Sequence, residues 1–262
     1  MNSALFINTR PADRADPLNQ ALHREDVQVF ELPLLELIQT DWSETLKDLY
    51  EQIERAQVIV AVSPSAVHFG MQGLKSTGRS PEQLQHIQWI AVGEKTAQTL
   101  LEYGIESTAP DVETSEGMLK LDVLQQLQAG SVIAFWRGEG GRQFMMESLH
   151  EAGMKILNFL LYTRRCPEET LHKREALIQL LSVSTEPCVL ISSEASWLNW
   201  LELLQGQEHL LQKCHCFVLG ERLYGLLFRY QQEHQQKIKL SQLTDLKSGT
   251  ILRQIASVQG NK

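Results

Sequence analysis

Val60-Ala61-Val62-Ser63-Pro64-Ser65-Ala66-Val67 and Leu190-Ile191-Ser192-Ser193-Glu194-Ala195-Ser196-Trp197 are the two stretches whose likeness to each other decides the fold. Each is a strand-length apolar run, then serines suited to capping, then the start of an apolar helix. Downstream of each lies a second strand and turn, Ile90-Ala91-Val92-Gly93-Glu94-Lys95 in one case and Phe217-Val218-Leu219-Gly220-Glu221-Arg222 in the other. Ser63 precedes Gly93 by 30 residues and Ser193 precedes Gly220 by 27, so the likeness has a common spacing as well as a common pattern.

Two more echoes extend it outward. Ser115-Glu116-Gly117-Met118-Leu119 pairs with Ser248-Gly249-Thr250-Ile251-Leu252, each read as an N-cap opening a short amphipathic helix. Leu5 to Asn8, a helix from about Asp13 to Arg24 and Val27 to Leu32 pair with Val132 to Trp136, a helix from about Arg142 to Ala152 and Lys155 to Leu160. Arg10 and Arg137 then stand just past the first strand of each copy. The copy holding Ser63, Gly93, Ser115 and Arg137 is continuous, whereas the other has Arg10 at its start and Ser193, Gly220 and Ser248 at its end. One domain therefore interrupts the other. The expected fold is α/β, with two similar parallel-sheet domains, one inserted into the other and joined by a two-stranded linker. The expected division is 1–35 plus 168–262 for the discontinuous domain and 36–167 for the inserted one with the linker strands. Pro33 and Pro167 flank the crossings near Leu34 to Ile38 and Leu161 to Pro167.

With 262 residues and 43% hydrophobic content, the chain has enough apolar surface for two domains of ordinary size. Val58 to Val62 and Cys188 to Ile191, among the longest apolar runs, are far short of a membrane span. Met1 to Ile7 carries no basic leader, and Arg10-Pro11 follows at once, so a cytoplasmic protein is expected. Four cysteines, Cys166, Cys188, Cys214 and Cys216, are too few for a disulfide framework and are read as thiols. Cys214-His215-Cys216 leads into an apolar strand that puts both sulfurs on one face. No second close pair completes a four-ligand set, so no metal is expected. A net charge of -8 argues against nucleic-acid binding, which needs a basic surface.

The distinctive polar residues cluster just after the predicted strands: Thr9-Arg10, Ser63-Pro64-Ser65, Gly93-Glu94, Arg137-Gly138-Glu139-Gly140-Gly141-Arg142, Ser192-Ser193 and Gly220-Glu221. Open parallel sheets bind ligands at that edge. The glycines after Arg137 fit either an anion held by backbone N–H groups at a helix start or a tight structural turn. Their spacing matches neither a dinucleotide fingerprint nor a phosphate loop. Ser63, Ser65, Ser193 and Ser196 read first as helix caps, with donation of hydrogen bonds to a carboxylate as the second reading. No Gly-x-Ser-x-Gly elbow is present and none of the eight histidines falls in a metal or triad motif, so nucleophilic catalysis is not expected. The apolar helix from about Trp197 to Leu204 reads as core packing. Tyr162 falls at the second crossing, either packing a hinge or facing a cleft.

Taken in order, Thr9-Arg10-Pro11, Val62-Ser63-Pro64-Ser65-Ala66-Val67, Ala91-Val92-Gly93-Glu94-Lys95-Thr96-Ala97, Ser115-Glu116-Gly117, the Arg137 to Arg142 loop and Tyr162 resemble the uroporphyrinogen-III synthase family. The resemblance covers most of the chain. It implies a monomeric, cofactor-free enzyme that closes hydroxymethylbilane, a linear tetrapyrrole polycarboxylate, to uroporphyrinogen III. Ring D inverts through a spiro intermediate and water is lost. It implies a substrate held between two domains, with Tyr162 beside the departing hydroxyl and Thr96 near a substrate carboxylate. Thr9, Arg10, Ser63, Ser65, Ser115, Arg137, Gly138, Gly140 and Ser193 complete the expected substrate-binding set. Leu223 stands opposite Thr96 in the second copy and departs from the pattern, so the inserted domain is expected to hold most of the substrate. The bare architecture also fits a two-domain anionic-ligand binding protein without catalysis, and the Arg137 loop by itself fits a phosphate or nucleotide enzyme.

Overall fold

A computed structural model describes residues 4–140 and 143–260. Gly141 and Arg142, expected to end the glycine loop and begin a helix, lie outside the described residues. In chain order the strands are β1 (Leu5–Asn8), β2 (Gln28–Glu31), β3 (Glu36–Gln39), β4 (Val58–Ala61), β5 (Gln88–Ala91), β6 (Val132–Gly138), β7 (Lys155–Arg165), β8 (Cys188–Ile191), β9 (His215–Leu219) and β10 (Lys239–Leu243). The chain forms two compact units, Met1–Glu36 with Arg165–Lys262, and Leu37–Arg164.

The discontinuous unit carries a sheet of order β10-β9-β8-β1-β2, in which every pairing is parallel. The inserted unit carries β3-β7-β6-β4-β5, and β7, β6, β4 and β5 pair in parallel. Each sheet has an equivalent interior strand, β1 or β6, flanked on one side by the strand that follows its own helix. On its other side stands the Ser-turn strand, β8 or β4. An isolated parallel bridge from Ile90 to Thr108 occupies the place that β10 holds in the other sheet. The permuted repeat read from the sequence is thus the topology of the molecule. Both crossings fall in β3 and β7, neighbours in the inserted sheet. Thr40 N–H donates to Leu161 O at 2.9 Å, and Arg165 bonds Glu36 at 2.9 Å, so these two strands run in opposite directions.

The sequence forms these strands because β4 and β8 are uninterrupted apolar runs and β1 is apolar up to Asn8, all three buried at every position. Such runs suit a parallel sheet covered on both faces. Alternation divides them between two cores. Ile59, Ala61, Ala134 and Trp136 pack with Tyr50 and Phe159 on one face of the inserted sheet. Val58, Val60, Ile133 and Phe135 pack with Met145 and Leu149 on the other. In the discontinuous unit Val189, Ile191, Cys216 and Val218 pack with Trp197 and Trp200, as expected of that helix. Cys214 shares this core, and burial pushes its thiol up to about 12.

Some local readings shift. Arg137 lies inside β6 rather than past it. Thr114, not Ser115, caps the short helix Ser115–Met118, accepting from Gly117 N. β7 runs on through Tyr162 to Arg165: β6 pairs with it as far as Gly138 opposite Tyr162, and β3 lies along its other side. Ser63 and Ser193 do cap the helices Pro64–Ser76 and Glu194–Leu203.

The helix Pro64–Ser76 lies so close to β6 that a Cβ on Gly70 would overlap the Trp136 indole, whereas one on Gly225 would meet nothing. Gly70→Ala should therefore lower unfolding stability by about 1–3 kcal/mol through overpacking. Gly225→Ala, on the helix Gly220–Glu233, should raise it by about 0.4–1 kcal/mol. Urea denaturation midpoints of the two variants check both signs.

Candidate functional site

The C-terminal ends of β4, β6 and β7 surround a cavity of about 180 Å³ in the inserted unit. Ser63, Ser115, Arg137, Gly138, Gly140, Tyr162 and Arg164 form its polar side, and Phe135, Met118, Met145 and Met146 its apolar wall. A wider recess of about 550 Å³ shares Val62, Ser63 and Val92 with it and continues past Gly93, Lys95, Thr96 and Glu113. The topology explains the gathering: parallel strands bring the loops after β4, β5 and β6 to one edge, and each loop leads to a helix start.

Tyr162 is 1% exposed. Its ring stacks on Phe69 at 5.4 Å between centroids with planes 29° apart. Gly138 lies against the ring so closely that a Cβ there would overlap it. The phenolic oxygen sits 3.0 Å from Ser63 Oγ and accepts from Arg164 Nη2 at 3.2 Å. Arg164 Nη1 donates to Glu139 O at 3.1 Å, and Glu139 N–H donates to Tyr162 O at 2.7 Å. Tyrosine, arginine and glycine loop thus form one hydrogen-bonded assembly.

Arg137 is 5% exposed and its guanidinium is turned onto its own loop, donating to Gly138 O at 3.3 Å and to Gly140 O. Its Nη1 lies 3.7 Å from Met146 Sδ. Gly140 has φ +74°, the left-handed region that suits glycine, which lets the loop fold back over the guanidinium. Burial lowers the Arg137 pKa from its ordinary value, nearby Tyr162 opposes this and Arg164 adds to it. The group stays cationic, as arginines do. Arg137 therefore braces the glycine loop while lending it positive charge.

The other expected residues are placed unequally. Thr96 is 2% exposed and lines the recess on the first turn of Glu94–Glu102. At that helix start the Glu113 carboxylate accepts from Glu94 N–H at 2.9 Å. Ser65 lies in the first turn of Pro64–Ser76 and does not line the cavity. Thr9, Arg10 and Ser193 belong to the discontinuous unit. Thr9 is 1% exposed and donates its hydroxyl to Leu190 O. The Thr9 side chain is occupied in holding β1 to β8. Arg10 has its pKa lowered by burial first and by Arg14 second, with Asp13 opposing. Ser193 shares a capping box with Ser196, whose N–H donates to Ser193 Oγ at 3.1 Å. Sequence reasoning missed Arg164 and Phe69. Arg164 carried a usable signal, since two residues after Tyr162 on a strand puts it on the tyrosine's face. Among the described residues no three His, Cys, Asp or Glu side chains are grouped so as to hold a metal ion. Among the same residues, no helix is long and apolar enough to cross a membrane.

Residues 16–234 match the family described as uroporphyrinogen-III synthase HemD. The chain belongs to the uroporphyrinogen-III synthase family. It is 28% identical over 221 residues to the uroporphyrinogen-III synthase of Salmonella typhimurium, covering 83% of this chain and 88% of that protein. To the Synechococcus elongatus uroporphyrinogen-III synthase it is 24% identical over 213 residues, covering 77% and 79%. The fold is that of a mutant Thermus thermophilus uroporphyrinogen III synthase, at TM-score 0.65 and 16% identity over 99% of this chain and 100% of that one. Helicobacter pylori uroporphyrinogen-III synthetase matches at TM-score 0.59 and 14% identity, over 98% and 100%. A uroporphyrinogen-III synthase is an enzyme of haem biosynthesis with a small-molecule substrate, and a non-catalytic binding protein is not favoured.

Because Gly138 is the floor under the Tyr162 ring, Gly138→Ala should push the phenol off its Ser63 and Arg164 partners. The expected cost is about 1–3 kcal/mol of stability. Turnover should fall by more than that stability loss explains, checked by comparing urea midpoints with specific activity at a temperature where the variant is fully folded.

Proposed function

We propose that this chain closes hydroxymethylbilane to uroporphyrinogen III, with Tyr162 donating its phenolic proton to the departing hydroxyl. The carrying observation is the Tyr162 oxygen, held between Ser63 and Arg164 beside the cavity at the β6–β7 edge. Loss of the hydroxyl as water leaves an azafulvene, which the substituted carbon of ring D attacks to give the spiro intermediate. Fragmentation and reclosure invert the ring, and the proton shed as the ring regains aromaticity restores the phenol. No oxidation state changes and Tyr162 both supplies and recovers the proton, so the reading calls on no redox cofactor and routes no step through a metal.

The bilane closes by itself to the uninverted isomer, so the protein has to favour one geometry over another, which is a task for positioning. We assign the substrate carboxylates to the backbone N–H groups and hydroxyls of the helix starts and turns at Ser63, Ser65, Thr96, Ser115, Gly138 and Gly140. Arg137 supplies positive charge through the loop that it braces. Thr9, Arg10 and Ser193 would serve from the discontinuous domain. For Thr9 the backbone is the available part, since its hydroxyl is committed to Leu190. The reading keeps residues 36–167 as the inserted domain within 1–35 plus 168–262. It takes the enzyme to act as a monomer in the cytoplasm on a water-borne polycarboxylate, without nucleic acid or membrane. Every group that it uses comes from one chain.

Incubation with hydroxymethylbilane followed by separation of the uroporphyrin isomers tests the activity, with type III expected and type I the outcome that sinks it. Tyr162→Phe should slow type III formation about 100-fold or more, the range for loss of a general acid, while type I accumulates from unassisted closure. Full turnover in that variant would remove Tyr162 from the chemistry.

A further inference from the structure

We propose that Arg164 is a positioning residue for the ring closure, fixing the direction in which Tyr162 presents its proton; this rests on the assignment of Tyr162 as proton donor. A guanidinium has donors and no acceptor. Its bond to Tyr162 Oη at 3.2 Å therefore makes the phenolic oxygen an acceptor. The same guanidinium is fixed by its other terminal nitrogen to Glu139 O at 3.1 Å. Glu139 in turn donates its N–H to Tyr162 O at 2.7 Å, so arginine and tyrosine are tied to one loop residue.

Ser63 completes the count. Its Oγ accepts from Ala66 N at 3.0 Å as the helix cap and lies 3.0 Å from Tyr162 Oη. Because the cap bond uses a lone pair, the serine O–H remains free to donate to the tyrosine. In the arrangement where Ser63 donates as Arg164 does, Tyr162 Oη keeps its own hydrogen for a third direction. All three residues line the cavity, which gives that hydrogen a place to go. As the proton leaves for the departing hydroxyl, negative charge builds on the phenolic oxygen. A hydrogen bond from a cationic donor then strengthens, so Arg164 favours the transition state over the ground state.

An arginine at this wall could instead grip a substrate carboxylate, and kinetics separates the two roles. kcat, KM and isomer composition would be measured with hydroxymethylbilane for Arg164→Gln, Arg164→Lys, Tyr162→Phe and the Tyr162→Phe/Arg164→Gln double variant. Thermal melting would confirm that each is folded. Arg164→Gln should lower kcat about 10- to 100-fold, as for loss of a hydrogen bond to a charged group, with KM changed by less than about twofold, the mark of an interaction that strengthens in the transition state without binding substrate. Arg164→Lys, which keeps a cationic donor, should recover part of the rate. In the Tyr162→Phe background the glutamine should have almost no further effect, because the oxygen through which Arg164 acts is gone. A raised KM with unchanged kcat in both backgrounds, or effects that multiply in the double variant, would overturn the proposal. If Tyr162→Phe is slow and Arg164→Gln runs at the wild-type rate, this proposal fails and the tyrosine assignment stands. If Tyr162→Phe itself turns over fully, both fall.

Discussion

One extra residue in β7 decides where the tyrosine goes. Arg137 pairs with Leu160, but Gly138 pairs with Tyr162, so Leu161 is left over between them and the register shifts by one. Just before that point β7 alternates, with Asn158 exposed, Phe159 buried, Leu160 exposed and Leu161 buried. The extra residue breaks the alternation, so that Tyr162 is buried directly after Leu161. Bulges of this kind re-aim side chains and are frequent beside active sites. Here the bulge brings the phenol over the bare Cα of Gly138 and against Phe69, and the rest of the site is arranged around that ring.

The dependence runs outward through hydrogen bonds. Once the ring is fixed, its oxygen meets Ser63, which is itself fixed because it caps Pro64–Ser76. Arg164, two residues along the same strand, reaches the same oxygen and ties it back to the loop after β6. Arg137 closes that loop from beneath. A burial of this density around one hydroxyl suits an enzyme whose substrate already reacts unaided. Such an enzyme gains little from a powerful nucleophile and much from a fixed proton and a constrained geometry.

The two units repeat one topology but not one chemistry. Ser63 and Ser193 cap equivalent helices, yet only Ser63 has a tyrosine oxygen against it, while Ser193 is engaged with Ser196. Thr96 lines a recess at a helix start, and its counterpart Leu223 belongs to the core. Duplicated βα architecture supplies loops at a sheet edge. Side chains then decide which copy carries a reaction.

The sequence by itself determined the two mostly parallel sheets, their permuted insertion and the family. Those rest on local patterns: apolar runs such as Val58–Ala61 and Cys188–Ile191, serine caps, and landmarks recurring at near-equal spacing. It also picked out Ser63, Ser115, Arg137, Gly138, Gly140 and Tyr162, which tertiary structure brings to one cavity. What only that structure decided is how they meet. Ser63 and Tyr162 are separated by 99 residues and touch because β4 and β7 both flank β6. The Leu161 bulge leaves no mark on hydropathy, since Leu160, Leu161 and Tyr162 are all apolar in pattern. Arg164 lies beyond the strand end expected at Leu160, and only the packing sets Glu139 and the tyrosine oxygen against its guanidinium. Local propensity writes strands and caps into the sequence, whereas register and the partners of a guanidinium depend on packing between segments far apart in the chain.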